Sequence, residues 1–339
     1  MPSDSQPTGP SLAGNSDEVI RDGEAAEEAG DLVGAAAAFA SLLNHPDARV
    51  AAVVRYHLGR VVRQQGQPDE ARALFEAARA AAIGLNDKDL RALVENAIGV
   101  LHVERGEYVQ ARAACAVALE LEPEPRTRAK IALNLGVIAN LQGRFDVARR
   151  QFAQSESLYR MVNDERGVSL VLYNMGMLHA DRDEWDEADE VFRQALTLFE
   201  AHENRQMIAS AMISRAEVSY GRGRAFDGVA HCDMALSMYA ELGDETGRGW
   251  ALRWKGRGLR LLGRHPEGEQ ALSEALRIAS RTHLQVLEAE SSRELAWTLR
   301  ARGNAEEARG ALERSLELFE ELGAAREIQE IRSELAAPQ

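Results

Sequence analysis

The sequence NMGMLHADRDEWDEADEVFRQA, residues 174–195, repeats a pattern that is present 40 residues earlier in NLGVIANLQGRFDVARRQFAQS, residues 134–155. Both begin with Asn-x-Gly, pass through a short turn, and continue with an alanine that is followed four residues later by a phenylalanine. Segments 56–78 and 96–118 carry a related pattern, with a glycine at 59 and 99 and an alanine at 71 and 111, although Cys115 replaces the phenylalanine in the second. Residues that favour helix flank the turn in each segment, which predicts two helices joined by a turn.

The turn position recurs with a period of about 40 residues, which is typical of stacked helix-turn-helix units. We expect a left-handed backbone at this position, because a residue without Cβ adopts that conformation readily where a helix ends. The turn residues are Gly30, Gly66, Gly106, Gly143, Asp183, Gly223, Gly263 and Gly303. The sequence therefore predicts eight repeats, each of two helices.

Small and large residues keep fixed places relative to the turn. A small residue lies seven positions before it, where it lets two helices cross closely. An apolar residue lies nine positions after it, where it fills space between neighbouring repeats. The small residues are Gly59, Gly99, Gly136, Gly176, Ala216, Gly256 and Ala296, and the apolar residues are Phe75, Cys115, Phe152, Phe192, Cys232, Leu272 and Leu312.

With these residues the chain resembles the tetratricopeptide repeat family, whose pattern places Gly and Tyr on the first helix and Ala, Phe and Ala on the second. The resemblance covers residues 17–323 and implies an all-α, right-handed α-solenoid of about eight such repeats. We expect residues 324–339 to form a capping helix with a frayed end, and residues 1–16 to form a disordered tail. The chain departs from the family in its longer period and in the tyrosine slot, where we expect His102 and His179 to pack as ring substitutes.

The composition excludes several function classes. A net charge of −14 and a pI near 5.2 argue against nucleic acid or an anionic membrane as a partner, because both require a positive field. We expect no signal peptide and no membrane span, since no segment approaches roughly 18 consecutive apolar residues. Two cysteines in 339 residues fit a reducing compartment, so the cytoplasm is the expected location.

Residues that carry catalysis or bind metals lack the spacing that such chemistry requires. The eight histidines form no zinc-binding motif, and Cys115 and Cys232 lie in the slot that holds phenylalanine elsewhere. His231 beside Cys232 suggests a nucleophile and its base, and the acidic stretch 181–190 suggests a cation site, but a buried thiol and a solvated turn are the favoured alternatives. We therefore expect no enzyme activity, no cofactor and no metal.

The resemblance also implies that the first helices line a concave groove. Asn134 and Asn174 occupy matching positions of adjacent first helices, two residues before the small residue. An asparagine amide both donates and accepts hydrogen bonds, so a pair of them can hold the backbone of an extended peptide. The alternative is that both side chains form local hydrogen bonds or face water.

A cluster of tryptophan and arginine residues lies on the predicted first helices of the last two repeats. Spacings of three and four residues place its members on one face of each helix. The cluster comprises Trp250, Arg253, Trp254, Arg257, Arg260, Arg293, Trp297 and Arg300. Guanidinium groups pair with carboxylates and tryptophan supplies apolar area, a combination that predicts a ligand that is acidic or has an aromatic or apolar anchor. The alternative is that the tryptophans fill the core between repeats.

Together these features predict a non-enzymatic scaffold or adaptor that binds a protein or peptide segment in the groove. A second hypothesis is a sensor that binds a signalling peptide or a small ligand. Its curvature would then change and regulate a partner enzyme or transcription factor, because small rotations per repeat accumulate along a solenoid.

Overall fold

The computed structural model of the protein describes residues 12–336, which contain seventeen helices and no strand. The backbone divides into two compact units, Met1–Asn174 and Met175–Gln339. Unit 1 contains α1 (Leu12–Ala29), α2 (Leu32–Ser41), α3 (Ala48–Gln64), α4 (Pro68–Gly84), α5 (Lys88–Glu104), α6 (Tyr108–Glu120), α7 (Pro125–Leu141), α8 (Phe145–Met161) and the first part of α9 (Glu165–Ala180). Unit 2 contains the rest of α9, α10 (Trp185–Ala201), α11 (Arg205–Gly221), α12 (Ala225–Leu242), α13 (Glu245–Leu261), α14 (His265–Thr282), α15 (Gln285–Ala301), α16 (Ala305–Leu322) and α17 (Ala325–Ala336).

Helices α1–α16 form eight helix-turn-helix repeats, as the period of the turn residues predicts, and the fold is an all-α repeat solenoid. Every predicted turn residue has a positive φ, from 58° at Asp183 to 86° at Gly303. From the second repeat onward, a second left-handed residue ends each repeat, for example Asn163 and Gly243. The backbone therefore reverses twice in each repeat. The first helices of neighbouring repeats also contact one another, among them α11 with α13 and α13 with α15.

The small residues of the first helices make room for large residues of the second helices. A Cβ atom added at Gly59 would lie 2.6 Å from Cε1 of Phe75. Where the small residue is alanine, its partner is smaller, since Ala216 packs in one cluster with Cys232 and Ala296 packs in one cluster with Leu312. Each phenylalanine in this slot thus lies opposite a glycine, and both alanines lie opposite a smaller residue.

The terminal elements follow the predicted plan with one correction. Helix α17 is the predicted capping helix, with Ile331 buried and Ile328 and Leu335 packed against the same apolar cluster. Helix α1 begins at Leu12, so the last residues of segment 1–16 are helical rather than part of a tail. The rest of that segment and the predicted frayed end, 337–339, lie outside the described residues. No described helix is long and apolar enough to span a membrane.

Candidate functional site

The eight predicted tryptophan and arginine residues of α13 and α15 come together on the first helices of unit 2, and we call this surface the arginine–tryptophan wall. Helix α13 contacts the second helix of its repeat at Gly256, where an added Cβ would lie 2.5 Å from Cγ of Leu272 on α14. Two tryptophans of the wall also contribute to the core. Trp250 packs against the apolar cluster that contains Leu252 and Ile278, and Trp254 packs against the cluster of Ala216, Tyr220 and Cys232.

Guanidinium groups cover the tryptophan rings of α13. The Cζ atom of Arg253 lies 4.6 Å from the ring centroid of Trp254 and 6.0 Å from that of Trp250. On the same helix, Cζ of Arg257 lies 5.1 Å from the centroid of Trp254. These distances are within the range of cation–π attraction. Trp254 is thus held by two arginines one helical turn apart.

The ring of Trp297 on α15 is held from two helices. The Cζ atom of Arg293 on the same helix lies 4.8 Å from its centroid, and Cζ of Arg260 on α13 lies 5.5 Å from it. The indole Nε1 donates a 2.7 Å hydrogen bond to Oε2 of Glu334 on α17. The orientation of this half-buried ring is therefore fixed on three sides.

The arginines of α13 form ion pairs with carboxylates of the next first helix, α15. A nitrogen of Arg253 lies 2.6 Å from Glu290, and a nitrogen of Arg260 lies 2.8 Å from Glu294. Glu294 is 1% exposed, so its charge depends on Arg260 for compensation. These arginines are held in place by the protein itself.

The same arrangement recurs between α15 and the capping helix. Arg293 lies 2.8 Å from Glu330 and 3.5 Å from Glu334, and Arg300 lies 4.0 Å from Glu334. Glu330 and Glu334 follow Glu290 and Glu294 by 40 residues, the repeat period. Helix α17 thus supplies carboxylates at the places where a further first helix would supply them.

Carboxylates of the protein balance most of the positive charge of the wall, so few of its arginines are free for the acidic ligand that the sequence predicts. Four of its five arginines have a carboxylate within 4.0 Å. Arg257 has no ion pair with any described residue, and its buried Nε has no hydrogen-bond partner. Glu217 on α11 is the carboxylate whose charge acts on Arg257, and burial raises the pKa of Glu217 more than Arg257 lowers it.

The two predicted asparagines of unit 1 are half-buried, and their amides already donate hydrogen bonds. Nδ2 of Asn134 donates to Oδ1 of Asn96 on α5 at 2.9 Å. Nδ2 of Asn174 donates to the carbonyl oxygen of Leu170 in its own helix at 2.8 Å. Asn174 therefore forms a local hydrogen bond, which was the alternative to peptide binding, whereas Asn134 is hydrogen-bonded to the neighbouring first helix. The sequence reasoning missed Asn96, although it begins the repeat segment 96–118.

A buried polar cluster on α1 and α3 was also missed. His57 is 7% exposed, its ring stacks on Phe39 with centroids 5.1 Å apart, and its Nδ1 has no hydrogen-bond partner among the described residues. Burial lowers the pKa of His57 to about 3. Glu27 nearby is also buried and lies 2.9 Å from Arg60. His57 occupies the same repeat position as Asn134, which was the signal available in the sequence.

The cysteines are buried, as predicted from their slot. Cys115 and Cys232 are both 0% exposed, and burial raises the pKa of each thiol to about 12. The Sγ atom of Cys232 contacts the hydroxyl of Tyr220 at 3.6 Å, while Nδ1 of His231 lies 3.4 Å from Oγ of Ser219. His231 and Cys232 thus contact different side chains.

His102 and His179 are not the packed ring substitutes that the tyrosine slot suggests. Each is partly exposed, and its Nδ1 pairs with the carboxylate that precedes the second helix, at 2.5 Å for Glu107 and 2.7 Å for Glu184. These hydrogen bonds lower the pKa of both carboxyl groups. Each histidine thus links the end of the first helix to the start of the second. A fully buried imidazole would leave a polar nitrogen without a hydrogen-bond partner.

The acidic stretch 181–190 is engaged in ion pairs. Asp189 lies 3.2 Å from Arg215 and 3.0 Å from Arg222, and Asp186 lies 2.6 Å from Arg222. Across the described part of the chain, no group of three His, Cys, Asp or Glu residues could hold a metal ion.

Comparisons with known proteins agree with the fold. Family profiles described as "Tetratricopeptide repeat" match residues 56–126, 127–201 and 247–321. The chain therefore belongs to the tetratricopeptide repeat family. Regulatory protein AfsR from Streptomyces coelicolor is 29% identical over 103 residues, which are 30% of this chain. The match spans only 10% of the length of that relative.

Several solved structures share the architecture at low sequence identity. A Rap protein complexed with competence and sporulation factor has a TM-score of 0.67 at 12% identity, over 95% of this chain and 97% of that chain. NprR in complex with its cognate peptide NprX has a TM-score of 0.60 at 12% identity, over 82% and 81% of the two chains. At such identities the similarity establishes the fold alone.

Proposed function

We propose that the protein is a non-enzymatic scaffold or adaptor that binds a protein or peptide segment on the arginine–tryptophan wall. The observation that carries this proposal is that two guanidinium groups contact each of the half-buried rings of Trp254 and Trp297. Rigid aromatic rings beside arginines are the residues in which binding energy concentrates at protein interfaces.

The charge balance of the wall decides what kind of ligand it suits. A nucleic acid gains its affinity from many unpaired basic groups, whereas most arginines here already have a carboxylate. A peptide with an aromatic or apolar anchor gains affinity from the tryptophan faces. An acidic group on the same peptide then adds a local contact to the anchor.

The comparisons support a peptide as the ligand by analogy. Two similar solved structures hold a named factor or a cognate peptide, and both share the fold over most of their length. In unit 1, we propose that Asn134 and Asn174 contact the backbone of a bound segment, since an asparagine amide retains bonding capacity after one donated hydrogen bond.

The proposal is tested with synthetic random heptapeptides, the best of which are then measured by fluorescence polarisation against the wild type and three variants. Trp254→Ala and Trp297→Ala should each weaken binding by at least about tenfold, because each removes an aromatic anchor. The matched control is Phe226→Ala, which removes an aromatic ring that is 72% exposed on α12. Equal affinities for all four proteins, or no heptapeptide bound by the wild type, would contradict the proposal.

A second candidate, a curvature-sensing receptor, is favoured by one ion pair of unit 1. Arg166 at the start of α9 pairs with Glu28 at the end of α1, 138 residues away in the sequence. This ion pair therefore links the first and last first helices of the unit, and a change in curvature would break it. Small-angle scattering with and without a captured heptapeptide tests this role, and unchanged scattering at saturation counts against it.

A further inference from the structure

Arg257 differs from the other arginines of the wall in its ion pairing, and its position in the repeat explains the difference. Arg253 and Arg293 each pair with a glutamate 37 residues further along, on the next first helix. The residue 40 positions after Arg257 is Trp297, and the residue 40 positions before it is Glu217. The residue 37 positions after Arg257 is Glu294 on α15, and its carboxylate pairs with Arg260 at 2.8 Å instead.

Arg257 is nevertheless held in a defined place. Its Cζ lies over the face of Trp254, and its Nε, like those of Arg253, Arg260 and Arg293, is buried with no hydrogen-bond partner among the described residues. Arg257 differs from those three in having no ion pair within that part of the chain. Glu217 lies on the preceding first helix but not within the 4.0 Å of an ion pair. A fixed, partly buried guanidinium without a paired carboxylate has hydrogen-bond donors that lack an acceptor.

We propose that Arg257 is the residue of the wall that receives a carboxylate of the bound peptide. This inference rests on the proposed peptide-binding function and adds the ligand chemistry to it. The planar guanidinium takes a carboxylate through two parallel N–H···O hydrogen bonds, while the ring of Trp254 supports its opposite face. The ligand is thus a peptide that places a carboxylate next to an aromatic or apolar side chain.

The other arginines serve to position the site. Arg253, with a side chain that is 11% exposed, and Arg293, which is 13% exposed, are closed off by Glu290 and Glu330. A ligand carboxylate would have to displace a carboxylate of the protein to reach either one. Arg257 offers its charge without that competition, so the specificity for an acid is concentrated there.

Glu217 sets how strongly an acid is preferred. Its carboxyl group acts on Arg257 through space and repels a second carboxylate that approaches the same guanidinium. Removal of this charge should therefore tighten the binding of acidic peptides. A structural role for Arg257 and Glu217 predicts the reverse, since loss of either partner would then weaken the site.

The carboxylate comes either from an Asp or Glu side chain or from the free C-terminus of the peptide. The probes are the best-binding random heptapeptides in four forms: unchanged, with a C-terminal amide, with Asp and Glu replaced by Asn and Gln, and with both changes. A loss of affinity in the amidated form identifies the C-terminus as the source, and a loss in the Asn and Gln form identifies a side chain.

The test compares Arg257→Gln with Arg277→Gln. Both variants lose one positive charge, but Arg277 lies exposed on the second helix α14, away from the wall. We expect Arg257→Gln to weaken binding of the unchanged peptide by at least about tenfold, the size of one lost charge-assisted hydrogen bond. Arg277→Gln should change it less than twofold, and Glu217→Gln should increase it. Arg257→Lys keeps the charge but not the two parallel hydrogen bonds, so it should retain only part of the affinity.

The failures are distinguishable. If the wild type binds heptapeptides and Arg257→Gln binds them equally well with the same preference for charged forms, this inference is wrong and the proposed function stands. If Glu217→Gln and Arg257→Gln weaken binding alike while far-ultraviolet circular dichroism is unchanged, the two residues form a structural pair and the inference is also wrong. If the wild type binds no heptapeptide, both proposals fail.

Discussion

Replacement of Gly59 by alanine tests whether the helix crossings depend on size matching. The new methyl group would lie 2.6 Å from Cε1 of Phe75, a fully buried ring, so either the ring or the helices must move. Overpacking of this kind costs about 1–3 kcal/mol, whereas replacement of a helical glycine by alanine stabilises by about 1 kcal/mol. We expect a net loss of about 1 kcal/mol in the free energy of unfolding.

The remedy is present in other repeats of the same chain. Ala296 packs in one cluster with Leu312, so Gly59→Ala combined with Phe75→Leu reproduces a natural pair. Phe75→Leu alone should destabilise by about 1–2 kcal/mol through the cavity it leaves. The double variant should lose at least about 1 kcal/mol less than the sum of the two single losses, because the methyl group enters the vacated space.

Gly99→Ala is the matched control. A Cβ at Gly99 would lie 3.4 Å from Sγ of Cys115 and 3.3 Å from the carbonyl oxygen of Ala111, so little has to move. This variant should be neutral or slightly stabilising. Urea unfolding is followed by circular dichroism rather than by tryptophan fluorescence, because all four tryptophans lie beyond residue 174, outside unit 1. Additive effects of Gly59→Ala and Phe75→Leu, or equal losses for Gly59→Ala and Gly99→Ala, would refute the size-matching argument.

Three further predictions concern buried groups. His57 stays neutral in the folded protein down to about pH 3, whereas in the unfolded chain it takes up a proton near pH 6.5. The free energy of unfolding should therefore fall by about 2 kcal/mol between pH 7 and pH 5. His57→Phe should remove this part of the pH dependence of the urea midpoint. Cys115 and Cys232 should react with a thiol reagent only at the rate of unfolding, and rapid labelling of the native protein would contradict their burial. Glu334→Ala should destabilise the protein by about 1–3 kcal/mol and alter tryptophan emission, since it leaves Nε1 of Trp297 without its acceptor; Glu334→Gln, which keeps an acceptor oxygen, should lose less.

The fold was predictable because its determinants are local and repeated. A left-handed turn residue every 40 positions fixes where helices end, and the matched small and large residues fix how they cross. The members of the wall were predictable for the same reason, since Trp250, Trp254 and Arg257 share a face through helical spacing. These features depend on residues within one repeat.

The partners of the wall residues could not be predicted in the same way. Arg260 meets Glu294 and Arg253 meets Glu290 only because α13 and α15 pack at a particular offset, which spacing within one helix does not specify. The recurrence of two glutamates 40 residues apart was a signal for such pairing. The hydrogen bond of Asn174 to its own helix depends on a side-chain rotamer, and the sequence does not determine that rotamer.

The capping helix has a consequence for the modularity of the array. Each first helix of the wall presents arginines that need acceptors from its successor, so no repeat of this region is self-sufficient. Helix α17 provides Glu330 and Glu334 but carries Ser333 where the two preceding first helices carry Arg253 and Arg293. Helix α17 thus provides acceptors for the arginines of α15 but has no arginine at this position that would need an acceptor from a further helix. A chain cut after α16 would therefore end on arginine and indole groups that have lost their acceptors.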